Sequence, residues 1–213
     1  MPSTWQLEMK RYLYRRQILR DRFVTDEPEY SLLHSFLSPG DWAIDVGANI
    51  GHYTKRMSDL VGDRGRIIAF EPVQDVFSLL AANVRNCSNQ NVTLINAAAS
   101  ERTGCANMSV PRFDNGLLNY SEAAINSNAH GLQVLTLSID SLALPHSVRL
   151  VKIDAEGHEL SVLKGMVELL ARDRPTLIVE VSGQEVHSFL EGLNYSRETI
   201  PNSPNHIYRR LTD

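Results

Sequence analysis

Short apolar runs alternating with stretches of helical periodicity restrict this chain most, because that rhythm is the signature of a parallel α/β sheet. Runs suited to buried strands stand at Trp42–Val46, Arg66–Phe70, Val92–Ile95, Val148–Ile153 and Thr176–Val181. Between them the spacing predicts helices over 50–60, about 74–86 and His158–Ala171, the last with Leu160, Leu163, Val167, Leu169 and Leu170 apolar. Leu132–Leu137 alternates as a strand does, and the tail carries two short strand-like runs, Leu193–Arg197 and His206–Leu211. Leu32, Leu33, Phe36 and Leu37 suggest a short amphipathic helix that Pro39-Gly40 ends. There are no repeats and no Ser/Gly/Pro linker. The 213 residues therefore read as one domain over 27–213, preceded by a basic helical extension over 1–26. Residues 112–130 (RFDNGLLNYSEAAINSNAH) interrupt the rhythm. Long irregular insertions in compact domains are usually functional, so this one is expected to be a lid or an acceptor-site loop.

Composition narrows the class. With 43% hydrophobic and 22% charged residues the chain can bury a core, which excludes wholesale disorder. No apolar run approaches the ~18 residues a membrane span requires, and the opening MPSTWQLEMKRYLYRR has no apolar region of a secretory kind. Two cysteines, Cys87 and Cys105, fit neither a disulfide framework nor a zinc site, so a reducing, cytoplasmic compartment is expected. The net charge of −4 gives no nucleic-acid footprint. It is unevenly spread: residues 1–24 hold six basic side chains (Lys10, Arg11, Arg15, Arg16, Arg20, Arg22) against Glu8 and Asp21, net +4, leaving −8 for the rest. Leu7, Tyr12, Tyr14, Ile18, Leu19 and Phe23 could line one side of a basic amphipathic helix there. Packing on the main domain is its expected role; a membrane surface or an anionic substrate is the alternative.

Where the first strand meets its helix, the chain reads Asp45-Val46-Gly47-Ala48-Asn49-Ile50-Gly51. Gly47 and Gly51 permit a tight turn and close approach of a ligand. Position 49 is Asn, not the middle glycine of a dinucleotide fingerprint, and no G-K-[S/T] follows as in a P-loop. The second strand ends in Phe70-Glu71-Pro72, and a carboxylate at that strand end can accept both hydroxyls of a ribose. Together these features indicate a nucleoside cofactor without pyrophosphate, S-adenosylmethionine rather than NAD.

The runs DVGANIG (Asp45–Gly51), FEP (Phe70–Pro72), NAAAS (Asn96–Ser100) and VKIDAEGHELSVLKG (Val151–Gly165) resemble the FkbM family of S-adenosylmethionine-dependent methyltransferases. The last block is the most specific. The resemblance covers about residues 27–182. It implies the class I methyltransferase fold, Rossmann-like, with a seven-stranded, mostly parallel sheet, an antiparallel last strand and helices on both faces. It also implies O-methylation of a sugar or secondary metabolite. It places the cofactor at Asp45, Gly47, Asn49, Gly51 and Glu71, with Asn96 and Ala97 near the adenine edge and Asp154 beside the transferring methyl. Tyr53 and Pro72, which adjoin these positions, complete the candidate cofactor residues.

An aliphatic hydroxyl calls for a general base within hydrogen-bond reach. Asp154, Glu156, His158, Glu159 and Glu180 are expected to crowd near strand ends and the next helix start. Asp154, His158 and Glu180 are the catalytic candidates, with helix capping the alternative for Asp154 and a structural hydrogen bond for His158. His52 could touch cofactor or acceptor. A metal site drawn from Asp154, Glu180 and Asp140 is possible in type, but no spacing demands it and none is expected; Asp140 more simply starts a short helix. A carboxylate acceptor needs no base and would instead want a cation such as Lys152, Arg112 or the basic N-terminal helix. The expected partner is a small-molecule acceptor, with no nucleic acid and no integral membrane segment; a homodimer is compatible. Carboxyl methylation, a non-catalytic nucleotide-binding module and a nicotinamide oxidoreductase are the competing functions.

Overall fold

The computed structural model describes residues 4–112, 119–125, 131–181 and 183–211. The 113–118 and 126–130 parts of the expected acceptor loop lie outside the described residues. In chain order the elements are α1 (Thr4–Leu19), α2 (Pro28–Leu32), β1 (Trp42–Val46), α3 (His52–Val61), β2 (Arg66–Phe70) and α4 (Gln74–Val84). Then come β3 (Val92–Ile95), β4 (Ala98–Ala99), β5 (Gly104–Ser109), β6 (Ala124–Ile125), β7 (Leu132–Leu137) and β8 (Val148–Ile153). The chain closes with α5 (Glu159–Lys164), α6 (Val167–Asp173), β9 (Thr176–Glu180), α7 (Gln184–Gly192), β10 (Tyr195–Thr199) and β11 (Asn205–Arg210).

The main sheet runs β10-β11-β9-β8-β1-β2-β3. Strands β1, β2, β3, β8 and β9 pair in parallel, and β11, antiparallel to both β9 and β10, alone runs opposite to the rest of the sheet. This is the class I methyltransferase arrangement. Both faces are covered, as the near-continuous apolar strands require. On one face Ile44, Phe70, Val151, Ile153 and Val179 pack against Leu163, Leu170 and Leu190 of α5, α6 and α7. On the other, Ala43, Ile67, Leu150 and Ile178 meet Leu33, Met57 and Val61.

Three expectations are revised. Leu132–Leu137 is a strand, but it belongs to a second sheet, β4-β7-β5-β6, for which only this strand was read from the sequence. Helix α7 is an addition of the same kind. The helix expected over His158–Ala171 breaks at Gly165-Met166, because the Gly165 carbonyl accepts from the Asp140 N–H (3.0 Å) and the Ser138 hydroxyl (2.9 Å) outside the helix. Asp140 then accepts the Glu168 and Leu169 N–H groups, both at 3.0 Å, and so caps α6.

The N-terminal helix also departs from the one-sided pattern. Leu7, Arg11, Tyr14 and Ile18 face the domain, whereas Tyr12 and Leu19 are exposed. Arg11 donates to Ser78 of α4 and pairs with Glu8.

Candidate active site

Parallel register builds the site. Val46 sits opposite Phe70 on one side and Ile153 on the other, and Ile153 sits opposite Val179. One residue further along these strands come Glu71, Gly47, Asp154 and Glu180, four neighbours in a row at the carboxyl edge, where ligands of open α/β sheets bind.

Gly47 has φ +75°, and a Cβ there would lie 1.9 Å from the Asp154 carbonyl oxygen. Only glycine lets the two strand ends approach so closely. Asn49 is also left-handed (φ +50°), and its N–H donates to Glu71 Oε2 at 3.1 Å. Val73 N–H donates to Glu71 Oε1 at 2.8 Å. Burial nevertheless pushes the Glu71 carboxyl up to about 7, against the pull of those two N–H groups.

Two adjoining cavities share Glu27, Gly47, Asn49, Tyr120 and Asp154. The first, about 280 Å³, is lined by Glu71, Pro72, Val73, Ala98, Ala99, Met108, Tyr120, Ile125, Glu156, His158 and Glu180 among others. The second, about 370 Å³, reaches Asp45, Gly51, His52, Tyr53 and Lys152 and, from α1, Lys10 and Tyr14. Asn96 and Ala97 line neither: the Asn96 amide donates to the Glu71 and Pro72 carbonyls (2.8 and 3.2 Å), and Ala98 and Ala99 reach the cavity instead.

Beneath the second cavity lies a buried charge pair. Asp45 and Lys152 are register neighbours on β1 and β8. Lys152 Nζ donates to Asp154 Oδ2 at 2.8 Å and stands 4.4 Å over the Tyr53 ring. Asp45 accepts from Thr54 on Oδ2 at 2.5 Å, while Oδ1 is buried without a partner. Burial pushes the Asp45 carboxyl upward despite Lys152. The Tyr53 hydroxyl donates to Glu27 and Glu29, and the buried Glu29 carboxylate also accepts from Ser203 and Asn205. The ring is thus tied to the C-terminal part of the chain.

Carboxylate oxygens of Asp154, Glu156 and Glu180 all lie within 4.8 Å of one another. Burial works against ionisation of Asp154, but the Lys152 ammonium and a hydrogen bond from Glu180 outweigh it and hold that carboxyl below the usual range. Glu180 moves the other way, to about 8, through burial, its bond to Asp154 and repulsion by Asp154 and Glu156. Glu156 holds a left-handed φ of +46° beside Gly157, in the turn that carries it to the cavity. The cluster expected from the sequence is therefore real for these three. Glu159 is buried and accepts the Gly157 N–H at 2.8 Å, outside either lining. His158 lines the first cavity, bonded through Nε2 to Ser100 Oγ at 2.9 Å, and burial lowers its proton affinity so that it is neutral. The α5 helix starts after His158, so Asp154 does not cap it. Asp140 opens a short 3-10 helix over Asp140–Leu142, as expected, also accepts from α6, and is not in the carboxylate group, where Glu156 takes the third place. His52 packs against Phe23, ring centroids 4.2 Å apart and planes tilted by 44°. Arg112 is exposed and lines neither cavity.

The sequence reading missed Glu27, which borders both cavities, and the apolar wall made by Val73, Ala98, Met108, Tyr120, Ala123 and Ile125. Only the interrupted rhythm of 112–130 signalled part of it. Residues 119–125 do reach the cavity, and the Tyr120 hydroxyl donates to Asp75 at 3.0 Å.

A family model described as the methyltransferase FkbM domain matches residues 45–207. A Haloferax volcanii protein named hexuronic acid methyltransferase AglP is 30% identical over 129 residues, covering 59% of this chain and 50% of that protein. The chain thus spans about half the length of the curated relative it matches. Methyltransferase FkbM from Methylobacillus flagellatus superposes with a TM-score of 0.57 at 17% identity, over 85% of this chain and 50% of that one. A Streptococcus mutans protein described as a methyltransferase, solved in complex with SAH, does so at 0.55 and 13%, over 88% of this chain and 100% of that one. These two structures share the fold.

Proposed function

Because the chain belongs to the FkbM methyltransferase family, we propose that it transfers a methyl group from S-adenosylmethionine to a hydroxyl oxygen of a small, sugar-like acceptor. One observation carries the choice of hydroxyl. Five carboxyl groups (Glu27, Glu71, Asp154, Glu156 and Glu180) line the first cavity, and no Lys or Arg does among the described residues. An acceptor carboxylate, ionised at neutral pH, would meet the ionised Asp154 there with no cation lining the cavity to offset it. A hydroxyl would find an acceptor for its proton.

When bound, S-adenosylmethionine supplies an electrophilic methyl on a sulfonium. The residues present suit it. Glu71 keeps free lone pairs for two ribose hydroxyls, and the Gly47 and Asn49 backbone borders both cavities beside it. The unpartnered Asp45 Oδ1 calls for a donor, a role the α-ammonium of the cofactor would fill. The apolar wall from Val73 to Ile125 excludes water from the reacting atoms. Asp154 accepts the hydroxyl proton as the oxygen attacks, and Glu180 and Lys152 hold its carboxylate in place. His158, neutral and anchored on Ser100, orients the acceptor. Alignment at ~3–3.5 Å is itself worth several kcal/mol of the barrier.

A hexuronic acid tests the reading directly, since it offers hydroxyls and a carboxyl on one ring. Incubation with S-adenosylmethionine is expected to release S-adenosylhomocysteine and give a methyl ether that survives mild alkali. An alkali-labile methyl ester would overturn the hydroxyl assignment and move attention to Lys152 and Arg112. Cofactor affinity gives an independent check. Ionised Glu71 is the stronger acceptor for ribose hydroxyls, so binding should tighten as pH rises through about 7. Glu71→Gln should weaken it roughly tenfold and flatten that dependence; unchanged affinity would sink the ribose role.

A further inference from the structure

Helix α1 carries apolar side chains on two opposite sides, and only one of them is covered. Leu7, Arg11, Tyr14 and Ile18, spaced by three and four residues, turn toward the domain. Tyr14 meets Phe23 edge-on, and Lys10 and Tyr14 reach the wall of the second cavity. Half a turn away stand Trp5 (63% exposed), Met9 (48%), Tyr12 (60%), Leu13 (46%) and Leu19 (67%). These make up half of the large apolar side chains exposed on the described protein. Arg16 lies among them with its guanidinium 5.7 Å over the Tyr12 ring, and Lys10, Arg15, Arg20 and Arg22 are exposed around them.

We propose that this outer face of α1 docks on an anionic lipid surface, with Trp5, Met9, Tyr12, Leu13 and Leu19 in the headgroup–acyl boundary and the basic side chains on lipid phosphates. Charge complementarity selects that partner. Residues 1–24 carry net +4 while the remaining chain carries −8, so an anionic plane attracts this face and repels the others. Sixteen residues make a rod about 24 Å long. It is convex, with long aliphatic stems beneath cationic heads, the form of an interfacial helix. A second copy would set one positive face against an identical one, at an electrostatic cost. A sugar-phosphate backbone would use the cations but leave Met9, Leu13 and Leu19 in water. The docking is independent of the transfer reaction and is read without it.

The test is co-sedimentation of the full chain with vesicles of phosphatidylcholine containing phosphatidylglycerol, against vesicles of phosphatidylcholine alone. A Trp42→Phe background leaves Trp5 as the fluorophore. Binding is expected on the anionic vesicles only, weakened by salt, with a blue shift of Trp5 emission and quenching by brominated lipid. Arg16→Gln should lower the partition coefficient about fivefold, and Leu13→Glu should abolish insertion while the far-UV spectrum and melting temperature stay unchanged. Absence of binding would overturn the proposal. So would binding without a Trp5 response, or equal binding to the neutral vesicles. A dimer dispersed by Leu13→Glu, with no affinity for vesicles, would assign the face to a second copy and also overturn it.

Discussion

Asp154→Asn is expected to lower kcat at least about a hundredfold and to move the pH dependence of what activity remains. Asp154 and Glu180 share one proton at neutral pH, and the pair loses it at about 8, where Glu180 ionises. Asp154 is held ionised by Lys152 and accepts a hydrogen bond from protonated Glu180, so the base is ready at neutral pH. The native rate should therefore fall as pH rises through about 8, where the pair loses that proton and with it the bond that holds the Asp154 carboxylate, a property of the pair rather than of either residue. Asparagine at 154 removes both the proton acceptor and the charge that holds Glu180 up, so the inflection should shift toward the ordinary carboxylate range. The substitution also leaves the buried Lys152 with Asp45 and Glu27 as its charge partners, so some loss of stability is expected beside the loss of rate. Glu180→Gln controls for this, since it keeps the Lys152–Asp154 contact. It should give a folded enzyme in which the fall near 8 is gone. An Asp154→Asn enzyme with near-native kcat and an unshifted profile would remove Asp154 from the chemistry.

Gly47→Ala is expected to be severely damaging, since among the described glycines it combines the shortest backbone approach with a positive φ. Its Cβ would sit 1.9 Å from the Asp154 carbonyl oxygen, which is backbone and cannot rotate aside, and φ is +75°. Opening the gap means parting β1 from β8 at the edge where the cavities meet. A loss of about 4 kcal/mol or more follows, which for this size is roughly a 10 °C fall in Tm, together with loss of cofactor binding. Gly51→Ala is the useful comparison. Its φ is also positive, at +96°, but the nearest atom is Leu80 Cδ1 at 2.7 Å, the end of a flexible side chain. Its cost should stay near the 1–3 kcal/mol of a strained residue. Equal melting temperatures for the two variants would refute the close approach of the strand ends.

The strands of the main sheet were legible because each is a short apolar run bounded by turn residues, as in Ile67-Ile68-Ala69-Phe70 before Glu71. The second sheet was not. Gly104–Ser109 mixes Cys, Asn and Met, and its Met108 is buried only because Val73, Val76 and Val134 close over it. The break at Gly165 was equally invisible, since the groups that take its carbonyl, Asp140 and Ser138, belong to a loop 25 or more residues earlier. In the site, DVGANIG and FEP announced Gly47, Asn49 and Glu71 because a tight turn and a strand-end acid are local features. Glu27, Met108 and Tyr120 carry no local mark of what they line.

By itself, then, the order of residues determined the alternating α/β architecture, the glycine turn and the acids that end β2, β8 and β9, for these rest on periodicity and on single-residue conformational limits. Only the tertiary structure decided which of the crowded acids converge (Asp154, Glu156 and Glu180), that Lys152 pairs with Asp154 beside Asp45, and that Glu159 accepts the Gly157 N–H while Asp140 also accepts from α6. Those outcomes depend on strand register and on what is buried, and proton affinities follow from burial and neighbouring charge, which no spacing along a chain specifies.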